Sequence, residues 1–155
     1  MEYDYSISER VIQEFTLNQI HTNMGRTFDD ELLEKRFDKA KEMHKTYQQV
    51  VATQVDMSNP QEVLNQLSAL NNVAALGVEA EAMFEFLNNK LAVKKLSVLD
   101  MDSRGAAEKK IILNDELGGT NFYLTLMRLL IKEAHYQSDR LRTALSYLKQ
   151  EMISL

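Results

Sequence analysis

The residues that could carry chemistry lie in the last third of the chain, on a run that contains no proline or glycine after position 119. His135, Asp139 and Arg142 are spaced by four and then three residues, which places them on one face of a helix. Exposed ion pairs of this kind are each worth about 0.3–0.5 kcal/mol. The row therefore either stabilises the helix surface or contacts a partner or phosphate groups.

Neighbouring side chains extend this row into a candidate interaction face. Its basic members would supply charge for single-stranded DNA or for an acidic partner, and Tyr136 and Tyr147 are available for stacking. The predicted face comprises Arg128, Lys132, His135, Asp139, Arg140, Arg142, Ser146 and Lys149.

Charge is distributed unevenly along the 155 residues. Residues 1–89 hold 7 Lys and Arg against 15 Asp and Glu, whereas residues 90–155 hold 11 against 8. This favours some affinity of the C-terminal half for an anion, such as nucleic acid or an acidic partner. Ordinary solvated helix surface would give the same imbalance, so both interpretations stay open.

No catalytic constellation is visible, and we expect a protein that is not an enzyme and needs no cofactor. The chain lacks cysteine, a Gly-x-Ser-x-Gly elbow, a phosphate-binding loop and a dinucleotide fingerprint. Its three histidines lie on three different predicted helices, at His21, His44 and His135. Glu81 and Glu85 share a helix face and could do acid–base work, although a solvated strip is the plainer interpretation.

A helical bundle raises the question of a di-iron site, which needs Glu-x-x-His on two helices. Glu42 with His44, and Glu133 with His135, are spaced by two residues instead of three. Side chains at that spacing point to different faces of a helix. We therefore expect no metal site, and no small-molecule substrate is evident.

The N-terminal residues predict a first helix. Residues 1–5 read as a frayed lead-in, and Ser6 with Glu9 forms a capping box. The helix would run to about Asn23 and end at Gly25.

A second helix is predicted from the Thr27–Asp30 box to about Val55. His44 lies on its apolar seam, where a core histidine is the expected role. The spacing of four, three, four, three and four residues is a heptad seam of Leu33, Phe37, Ala40, His44, Tyr47 and Val51.

A third helix is predicted from Pro60, with Asn59 as its N-cap, to Lys90 or Lys95. A stretch of small residues would let another helix approach closely. It comprises Ala74, Ala75, Gly77, Ala80 and Ala82. Two apolar stripes are expected, first Val63, Leu67, Leu70 and Ala74, then Leu76, Ala80, Met83, Leu87 and Leu91.

The connection that follows is predicted to be irregular over 96–105. A short helix from Ala106 to about Leu117, with Ser103 near its start, would come next.

The last helix is predicted from Asn121 to Met152, after the stop at Gly118-Gly119 and with Thr120 or Asn121 as its cap. Its seam has a gap between Ala134 and Leu141 that either Gln137 or Ser138 would fill. The seam comprises Tyr123, Met127, Leu130, Ala134, Leu141, Leu145, Leu148 and Met152.

These elements predict an all-α fold, an elongated antiparallel bundle of four to five helices in a single domain over 1–155. Two long seams in one short chain also predict a homo-oligomer. The absence of cysteine fits a reducing cytoplasm. No apolar run approaches the length of a membrane span, and the acidic N-terminus is not a signal peptide. We therefore expect a cytoplasmic protein without a membrane partner.

The C-terminal part resembles a loose group of small helical bacteriophage proteins encoded in replication and recombination modules. The similarity covers about residues 58–152. It rests on Asn59-Pro60, on the apolar and alanine-rich helix that follows, and on the ending with His135, Asp139, Arg140, Arg142, Thr143, Ser146, Lys149 and Glu151. The resemblance implies a context in phage DNA metabolism and no particular mechanism.

Three classes of function follow from these observations. The first is a non-enzymatic accessory protein of phage or mobile-element DNA replication and recombination, acting by protein contacts and weak single-stranded DNA contact. The second is a structural or assembly protein, such as a virion or scaffold component. The third, an enzyme, has no catalytic residues in its favour.

Overall fold

A computed structural model describes residue 28, residues 30–99 and residues 105–154. This part of the chain holds four helices and no strand, which confirms the all-α bundle. The helix predicted from Ser6, its lead-in and its stop at Gly25 lie outside the described residues. The four helices are α1 (Glu31–Val51), α2 (Pro60–Leu99), α3 (Ala106–Glu116) and α4 (Gly118–Ser154).

Helix α1 starts at a side-chain cap and carries the predicted seam. The carboxylate of Asp30 accepts hydrogen bonds from the backbone N–H groups of Leu32 at 2.8 Å and Leu33 at 3.3 Å. The helix predicted from the Thr27–Asp30 box therefore begins later, at Glu31, because Asp30 is the cap itself and not the third helical residue of a box; Thr27 is outside the described residues. The seam is confirmed, since its members from Phe37 to Val51 are buried and Leu33 is half-buried.

The predicted end of α1 at Val55 is wrong, because the helix ends at Val51. The side-chain amide of Gln66 donates to the carbonyl of Val50 at 2.8 Å, and that of Gln137 donates to the carbonyl of Val51 at 2.6 Å. These carbonyls would otherwise accept from backbone N–H groups four residues later. The end of α1, one turn before the predicted one, therefore coincides with contacts from two other helices.

Helix α2 begins as predicted and continues further. The Asn59 side-chain oxygen accepts from the backbone N–H groups of Gln61 at 3.0 Å and Glu62 at 3.4 Å, so Asn59 is the N-cap. Its 40 residues span about 60 Å. Residues 96–99 are helical, and Leu99 is buried, so the irregular connection predicted over 96–105 is wrong for that part. Residues 100–104 are outside the described part.

Both α1 and α4 run antiparallel to α2. Along α2, Gln66 contacts the end of α1, whereas Phe84 contacts Phe37 near its start. Against α4, Gln66 lies by Gln137 and Asn88 lies by Thr120. This three-helix core positions every side chain of the candidate site.

Aromatic rings fill the centre of the bundle. Phe84, fully buried, stacks on Tyr123 with ring centroids 5.2 Å apart, and Phe37 meets Tyr123 edge-on at 5.7 Å. His44 joins them with its ring 5.4 Å from that of Tyr123. Phe84 belonged to neither predicted stripe of α2. The buried face comprises Val63, Gln66, Leu70, Gly77, Ala80, Phe84, Leu87, Leu91 and Leu99.

The close approach predicted for the small residues of α2 occurs at Gly77. A Cβ atom there would lie 2.5 Å from the Cε2 atom of Tyr47, whose ring is buried against α2. Ala80 is also buried in this contact surface. Ala74, Ala75 and Ala82 are exposed, so for these three residues the prediction of helix contact is wrong.

The start of α4 differs from the predicted one. Gly118 and Gly119 form its first turn, and Leu117 is the residue that ends α3. Thr120 is fully buried inside the helix and does not cap it; its hydroxyl lies 2.6 Å from the side-chain oxygen of Asn88. The predicted cap Ser103 is outside the described residues.

The far end of α4 extends beyond the packed core. Leu141 is buried and Leu145 is half-buried, but Met152 and Ile153 are 70% and 85% exposed. The predicted seam therefore packs within the chain only as far as about Leu148. Within the described residues, no helix combines the length and apolarity that crossing a bilayer requires.

Candidate functional site on the last helix

All eight residues predicted for the interaction face are exposed, and seven of them share one side of α4. At about 100° per residue they fall within an arc of about 100°. We call this set the outer face; it comprises Arg128, Lys132, His135, Asp139, Arg142, Ser146 and Lys149. Arg140 points about 130° away from the centre of that arc, so it does not belong to the outer face.

Charges of both signs meet on the outer face. The guanidinium of Arg128 contacts Glu81 at 3.0 Å and Glu85 at 3.9 Å, so the acidic strip of α2 serves as its partner. Arg142 lies 3.6 Å from Asp139 within α4. Two of the basic groups are therefore already balanced by carboxylates, which leaves less positive charge for phosphates than the sequence alone indicated.

A shallow cleft lies at the N-terminal part of the outer face. Its volume is about 390 Å³, and it mixes an apolar floor with charged edges. Tyr136 is one of its lining residues and is 57% exposed, so its ring is accessible for stacking. The lining residues are Glu81, Arg128, Ile131, Lys132, His135, Tyr136 and Asp139.

A second cavity, of about 430 Å³, lies on another side of α4, where α1 ends. We call it the α1-end cavity. Arg140 is one of its lining residues, which explains its separation from the outer face. The walls come from the end of α1, the segment that connects it to α2, and the middle of α4. They include Gln48, Val51, Ala52, Thr53, Gln54, Val55, Met57, Gln66, Leu130, Glu133, Gln137 and Leu141.

Three buried polar side chains border this cavity. Gln66 and Gln137 are 5% and 8% exposed, and the Nε2 atom of Gln66 lies 3.5 Å from the Oε1 atom of Gln137. Glu133 is 3% exposed. Buried carboxylates and amides are uncommon without a structural or functional reason, so the cavity is the second candidate site.

Glu133 and His135 point to different sides of α4, since the first is buried and the second exposed. This confirms the reason for which the sequence disfavoured a di-iron arrangement. Across the described residues, no three His, Asp or Glu side chains are grouped so as to hold a metal ion.

His44 is a core histidine, as predicted. Its Nδ1 atom is buried without a hydrogen-bond partner. Burial lowers the pKa of His44 from 6.5 to about 4, because the charged imidazolium would lose its solvation. The group is therefore neutral at pH 7 and belongs to the aromatic core, with no role at either candidate site.

Neither Gln66 nor the burial of Glu133 was predicted from the sequence. Gln66 lies three residues after Val63 and four before Leu70, so helical spacing alone could have placed it in the buried stripe. Glu133 lies between Leu130 and Ala134 on the edge of the seam. No local pattern distinguishes such a glutamate from a solvated one, since burial is decided by tertiary packing.

No protein-family model matches the chain, and comparison with curated proteins and with solved structures found no match. Function is therefore inferred from the geometry of the outer face and of the α1-end cavity.

Proposed function

We propose that this chain is a non-enzymatic accessory protein of phage or mobile-element DNA replication and recombination, which acts by protein contacts through the outer face of α4. Single-stranded DNA is a secondary, weak contact. The phage context rests on the resemblance of residues 58–152 alone. The site of action would be the cytoplasm of the host cell.

The mixed charge of the outer face supports a protein partner over nucleic acid. A surface that binds along a phosphate backbone presents Lys and Arg side chains that are not paired with carboxylates. Here Arg128 is paired with Glu81, and Arg142 with Asp139. Alternating charges beside an exposed tyrosine suit the polar rim and aromatic anchor of a protein interface.

Binding to single-stranded and double-stranded DNA across a salt series tests the secondary contact. Binding through phosphates weakens steeply as salt rises. The double variant R142E/K149E reverses two outer-face charges, and R140E is the matched control because it reverses a charge off that face. Loss of binding with the first but not the second would locate DNA on the outer face. No binding at low salt removes DNA from the proposal and leaves protein contact.

Retention of a protein partner tests the primary contact. Proteins of the host, with and without phage infection, would be passed over the immobilised parent, R142E/K149E and R140E chains. A partner that the parent and R140E retain, and that the outer-face variant releases, supports the proposal. Equal retention by all three chains argues against the outer face.

A structural or assembly protein is the second candidate, and the overhanging end of α4 favours it. Tyr147, Met152 and Ile153 are largely exposed there, and isolated apolar ends of this kind often pack against another subunit. Light scattering after size-exclusion chromatography would measure the mass in solution. A concentration-dependent oligomer that M152D/I153D converts to monomer supports this role, whereas a monomeric parent contradicts it.

A further inference from the structure

Helix α2 carries a long exposed face on the side away from the core. At about 100° per residue, ten residues from Leu64 to Leu96 fall within an arc of about 80°, and each of them is exposed. At about 1.5 Å per residue this face is about 48 Å long. We call it the α2 outward face; it comprises positions 64, 68, 71, 75, 78, 82, 86, 89, 93 and 96.

The α2 outward face contains no charged residue, although charged residues make up 26% of the chain. Val78 and Val93 on this face are 62% and 64% exposed, and Phe86 is 39% exposed. The solvent side of a helix in a globular protein normally carries charged residues, whereas the core of a protein interface is depleted of them. The face therefore has the composition of a contact surface, and none of the described helices covers it.

The spacing of residues along this face is symmetric about Ala80. Three pairs, at 16, 9 and 2 positions on either side of it, are Leu64 and Leu96, Asn71 and Asn89, and Val78 and Ala82. A two-fold axis at the level of Ala80 sets each residue opposite the other member of its pair on a second, antiparallel copy of α2. The face is thus complementary to itself, which identifies a second copy of the chain as its partner.

The sizes of the side chains favour the same antiparallel register. Phe86 and Ala75 lie 6 and 5 positions from Ala80, so the ring of one copy meets the small side chain of the other. Large side chains opposite small ones let two helices interdigitate. A parallel pair in register would instead set Phe86 against Phe86 and Ala75 against Ala75, which gives a clash at one level and a gap at the other.

Charges beside the face also fit this register. The guanidinium of Arg36 in α1 lies over the ring of Phe86, 5.7 Å from its centroid. Glu79 lies one turn after Ala75 and is exposed. Within the described part of the chain, neither Arg36 nor Glu79 has an ion-pair partner. Because Phe86 lies opposite Ala75, the antiparallel pair brings Arg36 of one copy beside Glu79 of the other, and the opposite charges attract.

We propose that the α2 outward face binds a second copy of this chain in an antiparallel dimer, with the two-fold axis at the level of Ala80. Asn71 of one copy pairs with Asn89 of the other, and a polar pair of this kind within an apolar seam fixes the register. The inference uses neither the outer face nor the exposed end of α4, so it does not depend on the proposed function. M152D/I153D, which tests assembly through that end, should leave this dimer intact.

Light scattering after size-exclusion chromatography of the full chain, at several concentrations, tests the dimer. The parent is expected at twice the chain mass of 17.9 kDa. V78E/A82E sets like charges opposite each other and should give a monomer with unchanged helix content by circular dichroism. T125E/T143E adds the same charges at exposed positions of α4 and should keep the dimer. The proposal is overturned by a parent that is monomeric at every concentration, by a dimeric V78E/A82E chain, or by equal loss of the dimer in both variants.

The variant V78E/A82K tests the orientation of the two copies. Positions 78 and 82 face each other in the antiparallel pair, so the new carboxylate meets the new ammonium and the dimer is retained. In a parallel pair each new charge meets its own equivalent, and the dimer is lost. A dimeric V78E/A82K chain beside a monomeric V78E/A82E chain supports the antiparallel register, whereas monomers of both variants overturn it.

Discussion

The side-chain amide of Gln137 in α4 donates a 2.6 Å hydrogen bond to the backbone carbonyl of Val51, 86 positions earlier in the chain. Gln66 of α2 makes the equivalent bond to Val50 at 2.8 Å. Helix ends leave carbonyls unsatisfied, and buried ones need a partner. One pair of glutamines thus joins the three core helices at the end of α1.

Replacing Gln137 by leucine should destabilise the fold by about 1–3 kcal/mol, because the buried carbonyl of Val51 loses its donor while the side-chain volume is kept. Urea unfolding followed by circular dichroism would measure the change. Q150L, at an exposed position of the same helix, is the control and should change stability by less than about 0.5 kcal/mol. Equal effects of the two substitutions would mean that water replaces the amide at Val51.

Substitution by alanine should lower the stability of the fold at Gly77 but not at Gly118. At Gly77 the new Cβ would meet the buried ring of Tyr47 at 2.5 Å, so the ring must move. Overpacking of a core costs about 1–3 kcal/mol and outweighs the roughly 1 kcal/mol that alanine gains over glycine in a helix. G77A is therefore expected to lower the free energy of unfolding by up to about 2 kcal/mol.

Gly118 provides the control within the same chain. No side chain or backbone atom lies within 4 Å of a Cβ atom built there, and the described glycines have no positive φ. G118A should thus be neutral or slightly stabilising. Thermal melting of G77A, G118A and the parent chain shows whether each substitution lowers or raises stability. A stable G77A chain would mean that Tyr47 repacks without loss.

The start of α2 could be predicted from the sequence because its cap is local, whereas α4 begins at Gly118, before the predicted start. Asn59 bonds to backbone groups two and three residues away, so its role was visible in a short motif. The seam of α1 was likewise visible from its spacing. The separation of Arg140 from the outer face also follows from about 100° per residue, although Arg140 was predicted to belong to that face.

The ends of helices and the burial of Glu133 could not be predicted in the same way. The end of α1 depends on Gln66 and Gln137, which reach it from other helices. The continuation of α2 to Leu99 is accompanied by a contact between Lys95 and Glu116 of α3, at 3.1 Å. Tertiary contacts of this kind override local patterns, and they also decide that Glu133 is buried.

Replacing the N-cap Asn59 by alanine should destabilise the chain by about 1 kcal/mol, because two backbone N–H groups at the start of α2 lose their acceptor. Chemical denaturation of N59A would give this value. N59D, which keeps an acceptor and adds charge that the helix dipole favours, should restore the stability of the parent. If N59D is as unstable as N59A, the loss of stability has a cause other than the lost cap.

Stability should fall as the pH drops from about 6.5 towards 4, through the titration of His44. Burial lowers the pKa of His44 to about 4 in the folded chain, from 6.5. Between these values the unfolded chain binds a proton that the folded chain does not, so protonation favours unfolding. The stabilisation is complete above about pH 6.5 and is lost as the pH falls to about 4. From about pH 7 to pH 5 this group alone removes about 2 kcal/mol.

The substitution H44L isolates this dependence, because leucine has a similar volume and does not titrate. Urea unfolding of the parent and H44L at about pH 5 and pH 7 gives the change in free energy for each chain. The difference between those two changes is the contribution of His44, and carboxylate titrations common to both chains cancel. H135Q, which removes an exposed imidazole, controls for loss of a surface histidine. Identical pH dependence in the parent and H44L would require that His44 reaches water or a partner for Nδ1 when it is protonated, in a core more open than its 5% exposure indicates.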